Sequence, residues 1–234
     1  MTGPEQLGEL ETATPSHPVH LGYVNAHSLN LAYRDETYRT ALQSCAYLLN
    51  DGIGLSLAAR MRGLNFPDDL NGSDFTLQVL ALAAKRDWRV FLYGGEPGVG
   101  EQAAAALHAR VPGVRIVGVQ DGFTVARDAI AHQVRDSGAD VVIVALGNPL
   151  QELWLNEWLP ETGCRLGVGV GAFLDFVSGR VPRAPAWMHA IGLEWVYRLY
   201  QEPRRLARRY VLGNPLFLYR AWRMRAQEHG VRTA

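Results

Sequence analysis

Val141-Val142-Ile143-Val144-Ala145-Leu146-Gly147-Asn148-Pro149-Leu150-Gln151-Glu152 is the stretch from which the fold can be read. Its first six residues are apolar without a break and four of them are β-branched. Such a run is too short for a buried helix and has no polar face, so it predicts a strand covered on both sides. Gly147 and Pro149 end it, and residues 149–159 resume at once with helical spacing. A two-sided strand feeding directly into a helix is the unit of a parallel α/β sheet.

The same alternation extends outward. Upstream, residues 20–25 read as a strand and 28–49 as one or two helices. The Asp51-Gly52 turn precedes a helix over 53–61, and 75–85 is amphipathic. Residues 89–93 read as a strand, 97–110 as an Ala-rich helix, 114–117 as a strand and 125–136 as a helix. Downstream, 166–170 reads as a strand and 173–177 as a short helix. The predicted fold is α/β: a mostly parallel sheet flanked by helices, Rossmann-like. No repeat or low-complexity segment interrupts it. Residues 1–18 are polar and read as a flexible tail, 19–190 as the α/β core, and 191–234 as an Arg-rich helical appendage punctuated by prolines.

The chain of 234 residues is 48% apolar, enough for one domain of ordinary composition. Its formal charge of +0 supplies no global field that would draw in nucleic acid. The charge is unevenly placed, however. From Arg180 to the end there are eleven arginines and three glutamates, which points to an anionic partner in the last quarter. The tail arginines interleave with Trp187, Trp195, Tyr197, Tyr200, Tyr210 and Trp222. That mixture suits a segment lying on an anionic membrane surface. It also suits nucleic acid, or a helical interface between copies in a homo-oligomer. Cys45 and Cys164 are too few for a disulfide framework and agree with a reducing, cytoplasmic setting. No secretory leader and no membrane-spanning run is evident, so membrane contact is expected to be peripheral.

Several turns carry candidate chemistry. Gly94-Gly95-Glu96-Pro97-Gly98 follows a strand and opens a helix, where backbone amides can receive a phosphate or can simply make a tight turn. Its spacing matches neither a Walker A loop nor G-x-G-x-x-G, which argues against a nicotinamide oxidoreductase. Gly147, Gln151 and Glu152 stand at a strand's C-terminal end, where open α/β sheets bind ligands. Gln151 can offer a donor and an acceptor to a base or sugar, and Glu152 can instead serve a helix start. Gly171 closes a run of alternate glycines before Asp175, a carboxylate in apolar surroundings that needs either an arginine partner or a task. Asp51 reads either as a helix N-cap or as a general base. Asn71 and Asp74 read as a turn with a helix cap or as part of a substrate pocket. There is no Asp-x-Asp pair and no histidine spacing for zinc, so no metal is expected. Arginines and amides would then have to neutralise a leaving diphosphate.

Taken together, Asp51-Gly52-Ile53-Gly54, Asn71-Gly72-Ser73-Asp74, Tyr93-Gly94-Gly95-Glu96-Pro97-Gly98, Gly147-Asn148-Pro149-Leu150-Gln151-Glu152, Gly169-Val170-Gly171, Arg183-Ala184-Pro185 and Gly192-Leu193-Glu194-Trp195 resemble the WecG/TagA/CpsF glycosyltransferases. The resemblance runs from about residue 19 to 220. It implies a GT-E-type fold, an inverting and metal-independent transfer from a UDP-sugar, and a polyprenyl-diphosphate-linked saccharide acceptor in wall or exopolysaccharide synthesis. It implies Asp51 as the catalytic residue. Asn25, Asn71, Asp74, Gly94, Gly95, Pro97, Gly98, Gln120, Gly147, Gln151, Glu152, Gly171, Asp175 and Arg183 fall to substrate or nucleotide binding. It also implies a membrane-associating appendage on the inner face of the cytoplasmic membrane whose arginines reach the site; Arg204 and Arg208, with Arg205 and Arg209, are the candidates. Two positions depart from the family pattern: Tyr23 where many members have threonine, and Asp121-Gly122 where many have His-Gly. The wording around Val24-Asn25-Ala26 and Gly147-Asn148-Pro149 is closer to the exopolysaccharide enzymes, which makes UDP-glucose as credible a donor as UDP-N-acetylmannosamine.

Overall fold

The computed structural model describes residues 3–66, 71–185, 187–188 and 192–232. In chain order the elements are α1 (Gly3–Leu10), β1 (Val19–Val24), α2 (Ala26–Ala32), α3 (Glu36–Gln43), β2 (Tyr47–Asn50), α4 (Ile53–Met61), α5 (Gly72–Lys85), β3 (Arg89–Gly94) and α6 (Val99–Arg110). There follow β4 (Arg115–Gln120), α7 (Arg127–Asp136), β5 (Val141–Ala145), α8 (Leu150–Trp158), a 3-10 turn (Leu159–Thr162), β6 (Leu166–Gly169) and α9 (Phe173–Val177). The C-terminal part holds α10 (Glu194–Gln201), α11 (Pro203–Ala207), a π-helical turn (Arg208–Gly213) and α12 (Asn214–Arg232).

The strands form one sheet in the order β2-β1-β6-β5-β3-β4, and every pairing is parallel. β5 lies inside it, which explains its unbroken apolar run. Val141, Ile143 and Ala145 pack on the face covered by α1, α5, α6 and α9, while Val142 and Val144 pack against α7 and α8. All are buried, each valine or isoleucine side chain contributing about 1.5–3 kcal/mol over an exposed one.

Two expectations need correction. Residues 47–50, read as the end of a helix, are the edge strand β2, paired in register with Leu21–Val24 of β1. The alternation is hard to see because Leu48, on the solvent side, is apolar and 41% exposed. The supposed flexible tail contains α1, whose Leu10 is fully buried in the core beside α5. One apolar anchor every few residues was enough to seat it despite the polar composition. The boundary placed near residue 190 falls on residues outside the described ones. The C-terminal helices, for their part, are docked on the core: Phe217 of α12 is buried with Val24, Tyr38, Leu42 and Leu55. Asn30 of α2 donates to the Gly213 carbonyl at 2.7 Å and accepts from Arg220 at 2.7 Å.

The sheet's topology decides where a ligand can sit. After β1 the chain passes to α2 and α3, on the side of α8; after β6 it passes to α9, on the opposite side with α6. β1 and β6 are neighbours, so their loops part and leave a crevice at their C-terminal ends.

Candidate active site

That crevice is a cleft of about 830 Å³. Its floor comes from the strand ends: Tyr23 and Asn25 after β1, Asp51 after β2, Leu146 to Asn148 after β5, and Gly169 to Ala172 after β6. One wall is α4 with Phe66, and another is the start of α5 at Asn71–Ser73. The C-terminal helices supply the remaining wall through Trp195, Arg198, Arg205, Arg209 and Tyr210. A separate depression of about 490 Å³ beside Leu77, Ala81 and Val111 sits at the opposite, N-terminal edge of the sheet.

Asp51 could have been a helix cap, and the structure decides against it. The N-cap position of α4 is Gly52, which makes no side-chain cap bond. Gly52 has φ +88°, a conformation open to glycine at little cost, and this turn swings α4 away from the strand end. Asp51 is thereby left facing the cleft. Its backbone N–H donates to the Val24 carbonyl at 2.8 Å, and its Oδ2 accepts from Asn25 Nδ2 at 3.4 Å. Asn25 is itself fixed: Oδ1 accepts from the backbone N–H groups of His27 (3.0 Å) and Ser28 (3.1 Å), capping α2.

Across from Asp51 stands a cationic wall. The Nε–H groups of Arg198 and Arg209 are buried and have no acceptor among the described residues. Both guanidinium groups line the cleft, which places two positive charges where an anion can reach them. Arg198 is held over the Phe176 ring at 5.2 Å and Arg209 over Tyr210 at 5.4 Å. Burial pushes the Arg209 guanidinium below its ordinary value. Arg198 and Arg205 add to that shift, whereas Tyr210 and Asp51 oppose it. His27, also lining the cleft, is held down to about 4 by burial and by Arg209, so it is a neutral imidazole at physiological pH.

Gln151 lines the cleft as expected, while Glu152 lies behind it. Gln151 is 2% exposed; its Oε1 accepts from Gly171 N–H at 2.8 Å and its Nε2 donates to Glu152 Oε1 at 2.8 Å. Gln151 thus braces the Gly171 turn while lining the cleft floor itself, with a second N–H and a second lone pair left on its amide. Glu152 is fully buried and also accepts from Asn148 Nδ2 at 2.6 Å. Burial pushes its carboxyl up to about 7 against those hydrogen bonds. It is neither an exposed helix-dipole partner nor part of the cleft lining.

Of the other candidates, Asn71, Gly147 and Gly171 line the cleft together with Asn25 and Asp51. Asn71 also caps α5 through Ser73 N–H at 3.0 Å and donates to Glu194 Oε2 at 3.4 Å. Asp74 and Arg183 do not line it; they form a bidentate pair, 2.7 Å at both contacts, that ties α5 to the C-terminal part. Gly94, Gly95, Pro97 and Gly98 stand outside the lining. Gly94 packs so closely on Ala145 that an added Cβ would lie 2.5 Å from its backbone, and Glu96 is paired with Arg180. Gln120 is also outside, bound to Asp121 at 3.1 Å and Thr124 at 3.0 Å. Asp175 is half-buried, its carboxyl raised by burial against Arg180 and Arg205, and it too is outside the lining. Arg204, Arg205 and Arg208 are all exposed, but Arg205, which is paired with Glu202, and the less exposed Arg209 line the cleft.

His27 and Arg60 were missed from sequence. His27 had a legible signal, lying two residues after Asn25 at a helix start; Arg60 had none, since a basic residue in the last turn of a helix is ordinary. Tyr23, the departure from the threonine of many members, is buried under the Asn71–Gly72 turn with its hydroxyl 3.2 Å from Thr76 Oγ1. Asp121, the other departure, accepts from the N–H groups of Phe123 and Thr124, both at 2.8 Å, and so serves its own turn. Among the described residues no three His, Cys, Asp or Glu side chains converge as a metal site would require, and no helix is long and apolar enough to cross a membrane.

An α/β cleft in which the Asp51 carboxylate at a strand end faces a cluster of guanidinium groups suits group transfer from a nucleotide-linked donor. Comparison with known proteins specifies the class: the WecG/TagA/CpsF glycosyl transferase family matches residues 1–230. The N-acetylglucosaminyldiphosphoundecaprenol N-acetyl-beta-D-mannosaminyltransferase of Bacillus subtilis (strain 168) is 33% identical over 185 residues, covering 79% of this chain and 72% of that protein. The enzyme of the same name from Bacillus spizizenii is 32% identical over 177 residues, covering 76% and 69%. The chain belongs to the WecG/TagA/CpsF family and is a glycosyltransferase.

Proposed function

We propose that this enzyme moves an N-acetylhexosamine or hexose from a UDP-sugar to a saccharide carried on a polyprenyl diphosphate, with inversion and without a metal ion. The observation that carries the reading is the opposition of Asp51 to the guanidinium groups of Arg198 and Arg209, which line the same cleft. Asp51 takes the proton of the acceptor hydroxyl as that oxygen attacks the anomeric carbon, a role worth about 10²–10⁴ in rate. The bond from the anomeric carbon to the diphosphate oxygen breaks, and UDP departs as an anion towards Arg198, Arg205 and Arg209. Arg198 and Arg209, each held against an aromatic ring, are positioned to stabilise that charge with little reorganisation. Asn25 aims the Asp51 carboxylate, and neutral His27 is a hydrogen-bond partner for sugar or phosphate oxygens.

The N-acetylmannosaminyl transfer for which the two Bacillus relatives are named favours UDP-N-acetylmannosamine over UDP-glucose as donor, and N-acetylglucosamine on a diphosphate lipid as acceptor. The exposed Tyr200, Val211, Leu212, Tyr219 and Trp222, together with outward Arg204 and Arg208, support peripheral attachment to an anionic membrane face. UDP release measured over several UDP-sugars with a lipid-diphosphate N-acetylglucosamine acceptor, with and without chelator, tests the reading. Release that needs both donor and acceptor and survives chelation is expected. Release that stops with chelator would overturn the metal-free step.

A further inference from the structure

We propose that Glu152 is a positioning residue for sugar recognition: from behind the cleft floor it fixes which end of the Asn148 and Gln151 amides is offered to a sugar hydroxyl. This rests on the sugar-transfer reading above. An amide side chain has a donor end and an acceptor end of nearly the same shape, so its partners decide which way round it sits. Glu152 is fully buried on α8, and its Oε1 accepts from Asn148 Nδ2 at 2.6 Å and from Gln151 Nε2 at 2.8 Å. Both amides line the cleft, and Glu152 does not. An ionised carboxylate has no donor, and in the neutral acid the carbonyl oxygen still accepts. In either state Glu152 draws in the nitrogen end of each amide.

The two amides depend on it unequally. Gln151 has a second anchor, since its Oε1 accepts from Gly171 N–H at 2.8 Å. It also lies close on Gly169, where an added Cβ would come 3.1 Å from Nε2. The other contact of Asn148 is the Tyr38 hydroxyl at 3.2 Å, which can donate or accept and so suits either end of the amide. Among the described residues, Glu152 is therefore the group that turns the Asn148 nitrogen inward and leaves its Oδ1 without a protein donor. Because both nitrogens bond the same oxygen, the two amides are neighbours on the floor. An acceptor oxygen on Asn148 beside the second N–H of Gln151 suits a hydroxyl, which donates to the one and accepts from the other. A site built this way discriminates strongly against a sugar that lacks the hydroxyl. The donor sugar and the acceptor sugar both carry such groups.

The test compares Glu152→Leu, which removes the acceptor, with Glu152→Gln, which keeps a carbonyl oxygen. Kinetics with UDP-N-acetylmannosamine and with N-acetylglucosamine diphosphate on an alkyl chain give kcat/KM for each substrate, and calorimetry gives the affinity for UDP alone. The leucine variant is expected to lose about tenfold in kcat/KM for one of the two substrates, the substrate affected being the one that brings the hydroxyl. Its UDP affinity should stay within about twofold of the wild type, and the glutamine variant should regain most of the loss. No loss with leucine, equal losses in both variants, or a parallel loss of UDP affinity would overturn the proposal. A second readout needs neither turnover nor the leucine variant. Burial raises the Glu152 carboxyl to about 7, so the side-chain nitrogen NMR signals of Asn148 and Gln151 are expected to move together between pH 5 and 9 in the wild type and to stay still in Glu152→Gln. The other titratable groups nearby do not change charge in that window: burial holds His20 at about 4, pushes Cys45 up to about 12 and lifts Tyr38 well above its ordinary value. Signals that move separately or not at all would overturn the proposal. If the wild type transfers neither sugar, the transferase reading fails, and the paired signals still decide the contact.

Discussion

Asn25 Nδ2 lies 3.4 Å from Asp51 Oδ2, joining the loop after β1 to the loop after β2. The two strands are hydrogen-bonded neighbours with Val24 opposite Asn50, so the residue that follows each is brought to the same edge of the sheet. The contact is therefore a consequence of strand register, and it fixes the direction in which Asp51 points.

Asn25 does two separable jobs. Serine at this position keeps an oxygen for the α2 cap but cannot reach Asp51. Asn25→Ser is expected to hold thermal stability within about 1 kcal/mol and to lower kcat about tenfold or more. Asn25→Ala should lose both, the cap costing about 1 kcal/mol. Paired melting and turnover measurements check this; a serine variant with full kcat would remove the aiming role.

The arginines of α11 and the π-helical turn divide by face. Arg209→Ala is expected to weaken UDP binding by at least tenfold in calorimetry, since a charged hydrogen bond is worth about 1.5–3 kcal/mol. Arg204→Glu combined with Arg208→Glu should leave UDP binding unchanged. It should instead reduce sedimentation with anionic liposomes, with about 1 kcal/mol lost per removed basic residue near the surface. The opposite pattern would mean that the faces are exchanged in solution.

Glu152 makes stability depend on pH. Burial raises its carboxyl from 4.5 to about 7, so the folded protein holds this proton more tightly than the unfolded chain. Its stabilising contribution is complete below about 4.5 and is lost as pH rises through about 7. Between pH 5 and 8 the wild type should lose on the order of 3 kcal/mol relative to Glu152→Gln, which keeps an acceptor for Asn148. Urea unfolding of both proteins at pH 5, 6.5 and 8 checks this; parallel pH profiles would contradict it.

The sheet was legible wherever burial writes a pattern. Val141–Ala145 is covered on both faces and reads as a solid apolar run, and α4 was placed residue for residue because Gly52 and the apolar spacing mark its start. β2 was not legible, because an edge strand with an exposed Leu48 alternates weakly. Asp51 could be singled out as a carboxylate beside a turn, but only the structure puts Gly52, not Asp51, at the N-cap of α4 and leaves Asp51 in the cleft lining. Gln151 could be singled out from sequence as an amide at a strand end, and it lines the cleft; its bonds to Gly171 and Glu152 were not legible, because they depend on how the β6 turn packs on α8. Arg205 and Arg209 could not be told from Arg204 and Arg208, because Pro203 interrupts the helix that would carry the phase from Arg198.

The account stands on Asp51 as the group that receives the acceptor's proton. The direct measurement is steady-state UDP release by Asp51→Asn beside calorimetric UDP binding and a melting curve for the same sample. A fall in kcat of at least 10², with UDP affinity and melting temperature near those of the wild type, is the predicted result. Turnover at the wild-type rate in a folded, UDP-binding variant would contradict it.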